Sequence, residues 1–121
     1  MDYTKHFELL DKLTNRTAAG SIQWEATADE NSFQTTVSDI VVRISEEAPD
    51  RFSETEYRVG LYNQRGERVE SFGNLELASA GSSANPFGML RSLYQAAQRN
   101  AMGADKAIDD VIKGLDEILP F

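Results

Sequence analysis

Apolar positions in this chain recur first at helical spacing, then at strand spacing, then at helical spacing again. Tyr3, Phe7, Leu10 and Leu13 predict a helix from Tyr3 to about Ala18, with Gly20 where a left-handed terminating residue is wanted. Between residues 21 and 72 the period becomes two: Ile22/Trp24/Ala26, Phe33/Thr35/Val37, Ile40/Val42/Ile44, Tyr57/Val59/Leu61 and Val69/Ser71 alternate with mostly polar neighbours. Five antiparallel strands with one buried face are expected. Asn63-Gln64-Arg65-Gly66 suits a type I turn closed by Gly at positive φ, and Ala28-Asp29-Glu30-Asn31 also reads as a turn. Ser38-Asp39 has no Gly, so strands two and three read either as a hairpin or as one long bent strand.

Helical periodicity returns at Asn85-Pro86, an N-cap followed by Pro in the first turn. Phe87, Leu90, Leu93, Tyr94, Ala97 and Ala101 fill one arc of this helix, and Arg91, Gln95, Gln98 and Arg99 the opposite one. Gly103 ends it, Asp105 is placed to cap a third helix, and Ile108, Val111, Ile112, Leu115 and Leu119 form that helix's apolar stripe. Two apolar helix faces and one apolar sheet face are expected to cover each other. The fold class expected is therefore α+β: an N-terminal helix, an antiparallel sheet of about five strands, and two C-terminal helices packed on one face. Two stretches read as loops. Glu46 to Glu56 is acidic and poor in aliphatic residues, and Gly73 to Ala84 is rich in Gly, Ala and Ser, either a passive connection or a lid.

Composition narrows the functional classes. At 121 residues a single domain spanning 1–121 is expected. Twelve Lys and Arg against twenty Asp and Glu give a net charge of −8, which disfavours bulk nucleic acid and anionic membranes as partners. The absence of Cys excludes disulfides and thiolate metal sites, and with no membrane-length apolar run or leader-like start a soluble, cytoplasmic protein is expected.

Catalytic chemistry finds little purchase in the residues. His6 is the sole histidine and falls on the packing side of helix one, so no metal site and no acid–base relay is expected from it. Asp105, Asp109, Asp110, Asp116 and Glu117 read as a solvated helix face. Lys106–Asp110 and Asp109–Lys113 are spaced for exposed ion pairs, and no calcium loop is present. Ser79, Ser82 and Ser83 lack a nucleophile elbow or a phosphate-binding loop around them. No catalytic residue, no metal and no cofactor is assigned.

Arginine and aromatic placement is the one suggestive pattern. If Trp24, Val37, Ile44, Val59 and Val69 face the helices, the other sheet face displays Arg43, Arg58, Arg68, Tyr62 and Phe72 among Gln, Thr and Glu. Guanidinium groups take phosphate or carboxylate bidentately and aromatic rings stack on bases, so Arg43, Arg58, Tyr62 and Phe72 are candidates for holding a nucleotide-sized anion. Ordinary cross-strand Arg–Glu pairing is the competing reading and the favoured one. Arg91 and Arg99 on the polar arc of the second helix form a further candidate set. Tyr62, Phe72 and Val41 on an open sheet face also suit a twofold interface, and a homo-oligomer, dimeric or higher, is expected.

Trp24-x-x-Thr27, Tyr57-x-Val59-x-Leu61 leading into Asn63-x-x-Gly66, and Leu93-Tyr94-x-x-Ala97-x-Arg99 before Gly103-x-Asp105 together resemble a group of small, largely uncharacterised bacterial and phage α+β proteins. These are core and turn patterns, which carry fold more than chemistry. The layout is also similar in outline to phage anti-defence sponges that sequester signalling nucleotides, although no ligand-binding motif matches. The Arg and aromatic placement, small size, negative charge and lack of catalytic groups, consistent with that outline, lead to the expectation of a non-enzymatic binding protein that sequesters a small anionic or nucleotide-type signalling ligand as an oligomer. The alternative from a different class is an acidic protein–protein interaction module, such as an inhibitor, immunity or adaptor protein.

Overall fold

In the computed structural model, residues 2–48, 54–80 and 85–118 are described. Helix α1 (Thr4–Ala18) precedes five strands, β1 (Glu25–Ala26), β2 (Ser32–Val37), β3 (Ile40–Glu47), β4 (Glu56–Tyr62) and β5 (Arg68–Gly73). Three helices follow: a short α2 (Asn74–Ala78), α3 (Pro86–Met102) and α4 (Ala104–Glu117). The strands form an antiparallel meander in sequence order. The architecture is α+β: an N-terminal helix, a five-stranded antiparallel sheet and C-terminal helices, with α1 and α3 layered against the sheet and α4 joined to the body through α3.

Turn chemistry explains the β2–β3 and β4–β5 hairpins. Ser38 and Asp39 both adopt positive φ, 51° and 64°, so β2 and β3 are joined by a two-residue loop of the I′ kind and are two strands. Asp tolerates this region better than most residues with a Cβ, which accounts for a hairpin without Gly. At Asn63–Gly66 the expected turn forms: the Gly66 N–H donates to the Asn63 carbonyl at 2.9 Å, and Gly66 sits at φ +78°. The Asn63 side chain reinforces it, its Oδ1 accepting from the backbone of Arg65 and Glu67.

The core lies between sheet and helices. Phe33, Val42, Ile44, Tyr57, Val59 and Phe72 project from the sheet onto Leu10, Leu13, Leu90, Leu93, Tyr94 and Ala97, all buried. Helix α3 lies against β1 to β4, and α1 packs beside α3 and reaches β5 by the His6 ring, edge-on to Phe72 at 4.7 Å. The buried Trp24 indole donates to Thr17 Oγ1 at 2.9 Å, whose hydroxyl in turn donates to the Leu13 carbonyl. Asn100 pins the entry to β1: its Oδ1 accepts from the Trp24 N–H at 2.6 Å and its Nδ2 donates to the Ile22 carbonyl at 3.1 Å.

Three expectations change here. The alternation predicts Val69 and Ser71 inward in the fifth strand, yet Ser71 and Gly73 face outward and Phe72 inward. A register shift beside Leu61/Tyr62 inserts an extra residue and reverses the phase. The Gly73–Ala84 stretch is not structureless throughout. Asn74–Ala78 is helical, anchored by buried Leu77 and by Asn74 Oδ1, which accepts from the Tyr57 N–H at 2.9 Å; residues 81–84 lie outside the described residues. Glu46, Glu47 and Glu56, placed in a loop by their composition, belong to β3 and β4. Of the rest of that proposed loop, 49–53 lie outside the described residues.

Candidate functional site

Antiparallel register decides which side chains share the sheet face turned away from the helices. Arg43 pairs with Gly60, Ser45 with Arg58, Gly60 with Ser71 and Arg58 with Gly73, so Arg43, Arg58 and Tyr62 project to the same side. Their surroundings differ sharply. Arg58 is only 24% exposed; its Nη2 donates to Glu56 Oε1 at 2.8 Å and Glu76 Oε1 at 2.6 Å, its Nη1 to Ser71 Oγ at 2.8 Å, and Glu47 approaches its Nε at 3.9 Å. Burial works against its charge, but the carboxylates of Glu76 and Glu56 outweigh that and hold its pKa above the ordinary value. Burial likewise opposes ionisation of Glu76, whereas Arg58 and the Gly73 N–H more than compensate, so its pKa is lowered. Arg58 is a clamp joining β3, β4, β5 and α2, and its charge is already spent on acids of its own chain. Gly73 is part of this clamp, because a Cβ there would meet Glu56 Oε1 at 2.5 Å and the Tyr57 carbonyl at 2.9 Å.

Arg43 stands in a different environment. Its guanidinium carbon lies 5.0 Å from the centre of the Tyr62 ring, its Nη2 donates to Gln34 Oε1 at 3.1 Å, and its buried Nε has no hydrogen-bond partner. Gly60 makes this stack possible, since a Cβ there would come within 3.0 Å of the Tyr62 ring. Among the described residues no carboxylate pairs with Arg43. Arg43 and Tyr62 line a shallow recess of about 550 Å³ with Gln34, Thr36, Asp39 and Asn63.

The remaining candidates lie elsewhere. Phe72, assigned to the open face from the sequence, is 1% exposed on the opposite side of the sheet against His6, for the register reason given above. Arg91 and Arg99 point outward from α3. Arg99 Nη2 donates to Asp105 Oδ1 at 2.7 Å and lines a separate cleft of about 430 Å³ among the ends of α1 and α3 and the start of α4. The six expected residues therefore do not converge on one pocket: only Arg43 and Tyr62 are in contact.

His6 has the structural placement its position suggests. Its Nε2 lies 3.3 Å from Glu70 Oε2, and its ring meets Tyr3 and Phe72 edge-on. Backbone hydrogen bonding from Ser71, followed by the contact with His6, lowers the Glu70 pKa. No cluster of three or more potential metal ligands occurs among the described residues. No helix among them is long and apolar enough to cross a membrane.

The least expected feature is α4. Its Ile108, Val111, Ile112 and Leu115, with Ile118 just beyond, recur at the helical spacing that marks one face, yet they are 50%, 61%, 53%, 61% and 64% exposed. No residue of α4 is buried, and α4 meets the body through α3. Sheet width explains why. Five strands about 4.8 Å apart present a surface roughly 20 Å across, which two helices about 10 Å apart already cover. Helices α1 and α3 fill that role, so the stripe read from the sequence as core remains a contiguous apolar surface, a feature that on water-exposed proteins marks interaction sites. The apolar stripe was visible in the sequence, whereas its lack of cover follows only from the packing of the other helices. No protein-family model, curated protein or solved structure matches this chain.

Proposed function

We propose that this protein is a non-enzymatic interaction module whose docking element is α4. One observation carries the reading: in an amphipathic helix of 14 residues, Ile108, Val111, Ile112 and Leu115 are half or more exposed, and among the described residues none of that helix belongs to the buried core. Burying a Leu or Ile side chain is favourable by about 1.5–3 kcal/mol, so four or five such residues left in water constitute a strong drive towards a partner surface. The clamped state of Arg58, the pairing of Arg99 and the inward position of Phe72 weigh against a convergent nucleotide site.

The test is a photo-crosslinking residue in place of Val111 in the intact chain, expressed in its native host. A discrete adduct that Ile112→Glu abolishes is expected, with none from the same probe at exposed Val69. Absence of any discrete adduct at position 111, or adducts equally abundant at 69, defeats the reading.

A second reading rests on Arg43, whose guanidinium has no carboxylate partner among the described residues. A small carboxylate or phosphate ligand would find a guanidinium without an acid partner, already oriented by Tyr62. Thermal denaturation with cyclic nucleotides and ADP-ribose derivatives should then raise the melting temperature, an effect that Arg43→Gln removes. No rise across that panel would discard it.

A further inference from the structure

The exposed stripe of α4 has two unlike margins. Asp109 and Asp116, seven residues apart and hence on the same side of the helix, border one edge, and neither has a cationic partner among the described residues. Asp105 extends that edge but is tied to Arg99. Ala107 and Gly114, also seven apart, border the other edge and leave it low. The cations of the helix, Lys106 and Lys113, project from its back, where Lys106 Nζ lies 2.8 Å from Asp110.

Building on the docking role of α4, we infer that its occupant is a basic amphipathic helix of another protein. Such a helix lays its apolar side along Ile108, Val111, Ile112 and Leu115 and sets a Lys- or Arg-bearing margin over Asp109 and Asp116. The low edge at Ala107 and Gly114 lets the two backbones approach closely, and 14 residues at about 1.5 Å each offer roughly 21 Å of rail, enough for i, i+3, i+4, i+7 anchors.

Charge argues against the other occupants. A twofold antiparallel pair of α4 helices would set each acidic margin against its own copy, bringing Asp109 and Asp116 towards like charges. A parallel pair would hold two bodies of net charge −8 side by side on a seam of only two heptads. An anionic membrane surface is repelled by the same margin.

The probes are two synthetic peptides of about 16 residues with identical Leu positions at i, i+3, i+4 and i+7, one carrying Lys and the other Glu at its remaining positions. Binding to the full chain is followed by fluorescence anisotropy. The Lys peptide should bind at least about tenfold more tightly than the Glu peptide, and Asp109→Asn with Asp116→Asn should weaken it by about fivefold without changing the melting temperature. Raising salt from about 50 mM to about 500 mM should weaken it to a similar degree. Equal affinity for both peptides, or indifference to the two Asn substitutions, overturns the inference.

A concentration-dependent dimer in sedimentation, removed by Ile112→Glu, also overturns it in favour of a second copy. If the Lys peptide fails to bind while the Val111 adduct forms, the partner's chemistry is wrong and the docking role stands. If both fail, the docking role falls too.

Discussion

Helices α3 and α4 carry the same amphipathic signature and meet opposite fates. Leu90, Leu93, Tyr94 and Ala97 of α3 are buried against the sheet and α1, whereas the corresponding stripe of α4 lies in solvent. Periodicity states that a helix has a side suited to cover. It does not state what covers it, because that depends on how much complementary surface the rest of the chain leaves free. Here α1 and α3 cover the sheet, and the apolar stripe of α4 is left in solvent.

The contrast predicts unequal costs for similar substitutions. Leu93→Ala removes a fully buried side chain from the centre of the core and should cost about 2–5 kcal/mol in denaturant unfolding. A cost below about 1 kcal/mol would mean that α3 is not the helix holding the sheet.

Next in size is the Arg58 clamp, which ties α2 to the open sheet face. Arg58→Gln leaves Glu56 and Glu76 without their partner and should cost about 1–3 kcal/mol near neutral pH. The Glu76 pKa is lowered in the folded chain, so its contribution is present above the unfolded carboxylate value of about 4.3 and is lost as pH falls through the folded value. The acid limb of the stability profile should therefore flatten in the Arg58→Gln protein; an acid limb of unchanged steepness would show that the clamp does not set it.

Smaller still is the β2–β3 turn. Asp39→Gly relieves a side chain held at positive φ and should stabilise the chain by about 0.5–1 kcal/mol. A destabilised protein would mean that the Asp39 side chain serves a role beyond the turn.

Most of the fold was legible in the residues because period-two and period-3.6 patterns are local. The first helix, the strands carrying Phe33, Ile44 and Val59, and the Asn63–Gly66 turn all follow from neighbours a few positions apart. Phe72 was misplaced because one extra residue beside Leu61/Tyr62 reverses the faces of β5, and nothing in Arg68–Gly73 announces it. Asn100 carries no local signal either: an amide near the end of α3 clamps Trp24 and Ile22 from more than seventy residues away, and only tertiary placement reveals such a bond. The candidate site suffered most, since the acids around Arg58 come from three separate elements, and their convergence is invisible to any reading of one strand at a time.

The most direct measurement of the central claim is urea unfolding of the chain carrying Ile112→Glu and Leu115→Glu together. With the stripe outside the core, the unfolding free energy should remain within about 0.5 kcal/mol of the parent, the range of ordinary surface substitutions. A loss above about 3 kcal/mol would show that these residues are buried in the folded chain, and would contradict the account of α4 as an uncovered docking surface.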